Sequence, residues 1–284
     1  MKRTLLCLTV IALAGACKKD PATTTSPDGA GAGTGTGTSN GDPKTAGTTT
    51  TVPQEPDPPA IAEGRQQFML GNFDKAKELL TPLTADLKSR QQLRASGLSA
   101  AWLALSVVDP VAEDAKEPAE YAVAMGEQTG DKELQVVAKL ALGAYQLGVD
   151  DDKTAAGNFE AAYKLQTDGP NAGLALVLYG EAKVNMAFGG EEKEQLAHPE
   201  ELDSAASTFI KAQRLAAEKP GNELIAARAL TGLASVANYK KSPKEACNNA
   251  TEAGKIFTAQ KAGQPLMERV NAIIDDAKCP KVAS

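Results

Sequence analysis

Apolar positions recur along this chain at helical spacing, and one such pattern is written twice. From Ala155 it runs Ala155-Ala156, Phe159, Ala162, Leu165, Pro170 and Leu174; from Ala205 it runs Ala205-Ala206, Phe209, Ala212, Leu215, Pro220 and Leu224. Seven of the twenty aligned columns are identical. Small residues, an aromatic and leucines three and four apart mark one face of a helix, and the proline closes the segment. A unit this thin cannot bury its apolar face alone, so repetition implies stacking. The same spacing predicts a first helix from about Ala60, after Pro58-Pro59, to Gly71. Asn72-Phe73-Asp74 then turns into a second helix with Ala76, Leu79, Leu80 and Leu83 on one face.

The run Gly64 … Leu70-Gly71-Asn72-Phe73-Asp74-Lys75-Ala76 resembles a tetratricopeptide repeat. In that family a small residue of the first helix packs against the second, and a Gly-Asn/Asp-Tyr/Phe turn leads to an alanine. The family's second-helix signature, Ala then a large apolar residue then a small one, is met by Ala76-Leu80-Leu83, with Leu83 oversized. It recurs at Ala119-Val123-Gly126, Ala155-Phe159-Ala162, Ala205-Phe209-Ala212 and Ala246-Ala250-Ala253. The paired first helices fall at about 91–107, 132–147, 171–188 and 223–239, and Leu142-Gly143 stands where a family Leu-Gly pair would. A last helix over about 264–277 is suited to closing the stack. The resemblance implies an all-α fold: a tetratricopeptide-like α-solenoid of about five hairpins plus a C-terminal capping helix, over residues 60–280. Successive signatures lie 43, 36, 50 and 41 residues apart, against a family period of 34, so the repeats are loose.

Composition agrees with helices. Charged residues are 23% and aromatic ones only 4% of the 284, and alanine supplies much of the apolar share. Small side chains let helices approach closely, and no long alternation of polar and β-branched residues follows residue 60. Formal net charge is −6, and −8 once Lys2 and Arg3 leave with a leader. That balance argues against nucleic acid, which is bound through Lys and Arg on phosphates, and against a polybasic membrane-surface protein.

The front of the chain reads as an address. Met-Lys-Arg-Thr, the apolar run Leu5 to Ala14 and then Gly15-Ala16 make a secretory signal peptide over residues 1–16, too short to span a bilayer. Cys17 follows, and the stretch resembles the lipobox of bacterial lipoproteins, with Ala14 where the family favours leucine. The resemblance implies cleavage before Cys17, diacylglycerol on its thiol, and acylation (palmitate) of the new amino terminus. Such chains anchor a protein stably. Lys18 in place of an aspartate points to the outer membrane, facing the periplasm. Residues 18–59 are dominated by Thr, Gly and Pro, with Val52 the one branched aliphatic residue; they are expected to form a disordered tether. Its r.m.s. reach is roughly 35–40 Å. Cys7 leaves with the leader. In an oxidising envelope Cys247 and Cys279 either pair, stapling the last helix to the stack, or remain as two free thiols.

Candidate chemistry is sparse. His198, the single histidine, precedes Pro199 where a helix begins. No Cys/His cluster with zinc spacing, phosphate loop or nucleophile elbow is written, so no metal, cofactor or catalytic residue is expected. Asp150-Asp151-Asp152 lacks the spaced ligands of a calcium loop and is expected to be a turn whose last residue, Asp152, helps to cap the next helix. Residues 189–198, with Glu191-Glu192-Lys193-Glu194, form an insertion that is either a solvated loop or a cover for a groove.

In tetratricopeptide proteins the inner faces of first helices hold the partner. Carried over from the Ala76 and Ala246 registers, those positions are Arg65, Phe68, Met69, Ser235, Asn238 and Tyr239, and packing between repeats is the competing role for Phe68 and Tyr239. The expected function is therefore a non-catalytic, lipid-anchored envelope scaffold that engages a protein partner. A narrower version resembles lipoproteins assisting outer-membrane protein insertion or pilus-secretin assembly. The alternative is a periplasmic small-molecule-binding lipoprotein serving a transporter, with a deep pocket at Tyr145, Tyr179 or Trp102.

Overall fold

Glycines and alanines at the helix crossings let neighbouring helices close up, and the large side chains seated on them set the stack. The computed structural model describes residues 56–189 and 195–280; Cys17, the leader, residues 18–55 and Glu191 to Glu194 lie outside the described residues. Eleven α-helices occupy the described residues. They are α1 (Pro59–Met69), α2 (Phe73–Ser89), α3 (Leu93–Val107), α4 (Lys116–Thr129), α5 (Lys132–Gly148) and α6 (Asp152–Leu165). Then come α7 (Ala172–Met186), α8 (Pro199–Ala217), α9 (Glu223–Tyr239), α10 (Pro243–Ala259) and α11 (Gln264–Asp276). From Asp57 onward they belong to one compact unit. Each helix packs on the next in sequence, and α1–α3, α3–α5, α5–α7, α7–α9 and α9–α11 also touch, the packing of a helical solenoid. Ten of these helices coincide with the expected pairs and α11 with the expected last helix.

The two kinds of helix differ as their sequences require. The first helices α3, α7 and α9 are buried on nearly every side and are apolar all round, whereas α2, α4, α6, α8 and α10 bury a single row. Ala76, Ala119, Ala155, Ala205 and Ala246, the alanines that begin the signature, are fully buried. In three of the five signatures the large residue that follows sits against a glycine. An added β-carbon on Gly64 would stand 2.5 Å from Leu80, on Gly143 2.6 Å from Phe159, and on Gly232 2.4 Å from Phe209. In α2 the row departs from expectation: Leu79 and Leu83 are half-buried, and Thr84 and Leu87 turn inward instead. Leucine is too large for the small position, so Leu83 stays half-buried, and the adjacent Thr84 turns in and bonds its hydroxyl to that of Ser99 at 2.7 Å.

The chain between α7 and α8 forms a minimal hairpin, β1 (Phe188–Gly189) with β2 (Gln195–Leu196), in which Phe188 faces Leu196. Ala197 and His198 then donate their N–H groups to the Ala187 carbonyl. This two-residue ladder is the whole of the strand content among the described residues, and the fold is all-helical. The Asp150-Asp151-Asp152 turn corrects one expectation. Asp150 takes the left-handed conformation and the middle residue, Asp151, is the cap, accepting from Thr154 N at 3.2 Å. Asp152 is already inside α6 and binds Asn185 instead.

The ends of the stack meet. Gly263 N, just before α11, donates to the carbonyl of Leu70, which caps the end of α1, at 2.7 Å, and Leu266 covers Gly71. Arg228 of α9 donates to the Phe68 and Met69 carbonyls at 3.0 and 3.3 Å. Cys247 of α10 and Cys279, past the end of α11, form a disulfide with 5.4 Å between their α-carbons. Before α1, Asp57 is bound by Arg94 of α3, which also binds Asp131 at 3.0 Å and Glu133 at 2.9 Å, fastening the start of the helical body. Burial pulls the Arg94 guanidinium down, but the hydrogen bonds to Asp57 and Asp131 outweigh it and raise its pKa above the usual arginine value.

Candidate functional site

The inner positions expected to hold a partner are used largely for packing. On α1, Phe68 is 1% exposed, with ring centres 5.7 Å from Trp102 and 5.8 Å from Phe73, and Met69 is buried. Arg65 is half-buried; it stacks over Trp102 and donates to the Pro170 carbonyl at 3.2 Å. Burial lowers its pKa, against the pull of Glu133. On α9, Ser235 is buried and donates to the Thr231 carbonyl at 3.1 Å, within its own helix. Half-buried Tyr239 meets Phe188 of β1 edge-on at 4.8 Å, and Asn238 is half-buried beside it. Contact between α1 and α9 runs through Arg228, which stacks on Phe68. Ser235, Asn238 and Tyr239 follow two to three turns further along α9. Phe68, Met69 and Ser235 therefore offer no open surface.

Behind Phe68 lies a charged cluster inside the fold. Arg228 is 6% exposed and Glu181 of α7 is 4% exposed. Arg269 of α11 binds Glu181 at 2.7 Å. Burial pushes the Arg228 guanidinium down to about 10, with Glu181 pulling up and Arg269 pushing further down. Several polar atoms of the interior have no hydrogen-bond partner: Arg228 Nε, Arg269 Nε and Nη2, both amide atoms of Asn171, and Gln166 Oε1.

Two open grooves lie elsewhere. One, of about 630 Å3, runs between α10 and α11 beside Cys279. Gly254, Met267, Val270 and Ile274 give it an apolar floor, while Thr251, Lys255, Thr258, Asn271 and Asp275 stand at its walls. The other, of about 520 Å3, lies between α2, α3 and α4 and mixes Lys77 and Lys88 with Glu113, Asp114 and Glu117. Trp102, Tyr145 and Tyr179 line neither. Trp102 is 2% exposed, and Lys183 covers Tyr179 at 4.8 Å.

His198 is exposed at the start of α8, 3.3 Å from the Glu200 carboxylate. Among the described residues no group of three or more His, Cys, Asp or Glu side chains could hold a metal ion. Nor is any helix there long and apolar enough to cross a membrane. No family model and no curated protein matches the chain.

Sequence reasoning passed over Glu181, Arg228 and Arg269. The first two carried a readable signal: each is a lone charge in an otherwise apolar stretch, Leu174 to Gly180 before Glu181 and Leu224 to Ala227 before Arg228. A charge that must enter the core with its helix needs a partner there. The α10–α11 groove left no such mark, because Met267, Val270 and Ile274 read as the buried row of a closing helix.

Proposed function

We propose that the protein is a non-catalytic scaffold of the bacterial envelope, anchored by lipid on Cys17 and probing outward on its tether. Its helical repeats are tetratricopeptide-like, and its partner is another envelope protein. The pairing of a first-helix glycine with a second-helix Leu or Phe, met at Gly64, Gly143, Gly180 and Gly232, supports that family reading. The lipobox-like leader supports attachment to the outer membrane on its periplasmic side.

One observation carries the reading. In every earlier hairpin the first helix is covered by the second helix that follows: α1 by α2, α3 by α4, α5 by α6, α7 by α8 and α9 by α10. α11 takes the place of a first helix, packing on α9 and α10, and no helix follows it among the described residues. Beside it the groove keeps Met267 and Ile274 half-exposed on an apolar floor. That slot is shaped for one more helix, so its occupant is an amphipathic helix of the partner, laid in by its apolar face. The partner site thus moves from the inner faces of α1 and α9 to the end of the stack.

Photo-crosslinking tests this in cells that make the natively lipidated protein. A photoreactive residue at Asn271 is expected to trap a specific protein adduct, one at exposed Lys164 of α6 to trap none, and Met267→Glu to abolish the adduct. Equal labelling from both positions, or an adduct indifferent to Met267→Glu, would remove the groove from consideration.

A further inference from the structure

A guanidinium rarely enters a protein interior with unpaired N–H groups, because each has given up its water for nothing in return. Arg228 and Arg269 do so together. Arg228 spends Nη2 on the Phe68 and Met69 carbonyls, which end α1, and leaves its buried Nε unbonded. Arg269 reaches Glu181 through Nη1 at 2.7 Å and leaves Nε and Nη2 buried and unbonded. Charge points the same way as hydrogen bonding. The two guanidiniums lie in each other's field, and Glu181 pulls on Arg228 from the other side of the balance. The three side chains carry two positive charges and one negative, and Arg228 and Glu181 are almost wholly buried.

We infer that the Arg228–Glu181–Arg269 cluster binds a small monovalent anion, a halide or a carboxylate, through the free N–H groups of Arg228 and Arg269. One negative charge balances the cluster; a divalent anion would overshoot it and repel Glu181. The site is bounded by α1, α7, α9 and α11, which limits the ligand to a few atoms or to the carboxylate end of a larger solute. Arg269 supplies the way in, since its side chain is 19% exposed while that of Glu181 is 6% exposed. None of the three residues lines the α10–α11 groove, so the inference stands apart from the partner reading.

The full chain in detergent is titrated with millimolar chloride, bromide or acetate against sulfate, whose second charge overshoots the cluster, at constant ionic strength. Chloride and bromide together, or acetate, should raise the unfolding temperature saturably, by about 5 °C at a hundredfold excess over the dissociation constant. Halides acting below acetate assign a halide site; acetate acting at lower concentration assigns the carboxylate of a solute. Arg269→Gln should lose the saturable rise while keeping its helical circular dichroism. Should that variant fail to fold, chlorine-35 line width serves on the unaltered protein, with broadening expected and reversed by bromide or acetate. A flat unfolding temperature with a sharp chlorine line, or a rise that folded Arg269→Gln retains, overturns the site and leaves water as the partner of these groups.

Discussion

Phe209 shows how the stack is held at the scale of single residues. Its ring lies between Gly180 of the helix before it and Gly232 of the helix after it, each so close that an added β-carbon would fall 2.6 or 2.4 Å from a ring atom. One side chain therefore couples two hairpins, and it is fully buried. Phe209→Ala should cost about 3–5 kcal/mol, the transfer of a ring plus the cavity it leaves. Gly232→Ala should cost about 1–3 kcal/mol by overpacking the same contact. Urea unfolding of both variants checks the pair, and a Gly232→Ala protein as stable as the parent would show that Phe209 has room to move. The aromatic was legible in the sequence because it repeats as Phe159; its glycine partners were not, since they lie on other helices. Glu181 is a second residue-scale case. Glu181→Gln leaves Arg228 and Arg269 buried without their counter-charge and should destabilise by about 3–5 kcal/mol. Fluorescence of Trp102 during urea unfolding reads that loss, and an unchanged midpoint would mean that the two guanidiniums find water instead.

Helix positions were readable because apolar spacing reports which face turns inward, and inward faces are what a stack demands. Turns were less so. Gly71, Gly130 and Gly221 mark three of the connections by the usual residue, but Gln91, Asp150, Lys241 and Lys261 adopt the same left-handed conformation without a glycine to announce it. Each closes its helix by the same device: the residue after it returns an N–H to a carbonyl five positions earlier, as Gln92 does to Leu87 and Ser242 to Ala237. A lysine bears that conformation at a cost of about 1–2 kcal/mol, so Lys241→Gly should stabilise the fold by about 1 kcal/mol, read as a higher urea midpoint. The capping of α6 was off by one residue for the same reason. Asp150 takes the left-handed turn, which passes the capping position to Asp151. At the end of the stack the disulfide closes a loop of 32 residues that contains all of α11. Paired Cys247→Ser and Cys279→Ser changes should cost about 3–4 kcal/mol, with amide exchange rising first in α11.

For the helical body as a whole, the meeting of its ends is the feature that helical spacing could not show. Periodicity describes a helix and its nearest neighbours, whereas α1 and α11 are joined across nearly the full length of the body. In an open solenoid each repeat feels only the next, so a defect at one end fades within a hairpin or two. Here Leu266 of α11 covers Gly71, Gly263 bonds to Leu70, and Arg228 holds the last carbonyls of α1. That closure also explains why the inner face of α1 is packed at Phe68 and Met69: surface that an open superhelix would present to a partner is here spent on joining its own ends. Leu266→Ala tests the difference. It removes about 2–5 kcal/mol of buried contact at one end, and its effect should appear at the other. Amide exchange in Gln66 to Leu70 is expected to speed up along with α11, while α5 and α6, far from the junction in the order of packing, keep their protection. Faster exchange confined to α9, α10 and α11 would describe an open stack whose ends merely lie close. Acceleration shared equally by every helix would describe one cooperative body in which the junction has no separate standing. Only the first pattern, both ends loosened and the middle held, fits a stack whose curvature is fixed by its own closure.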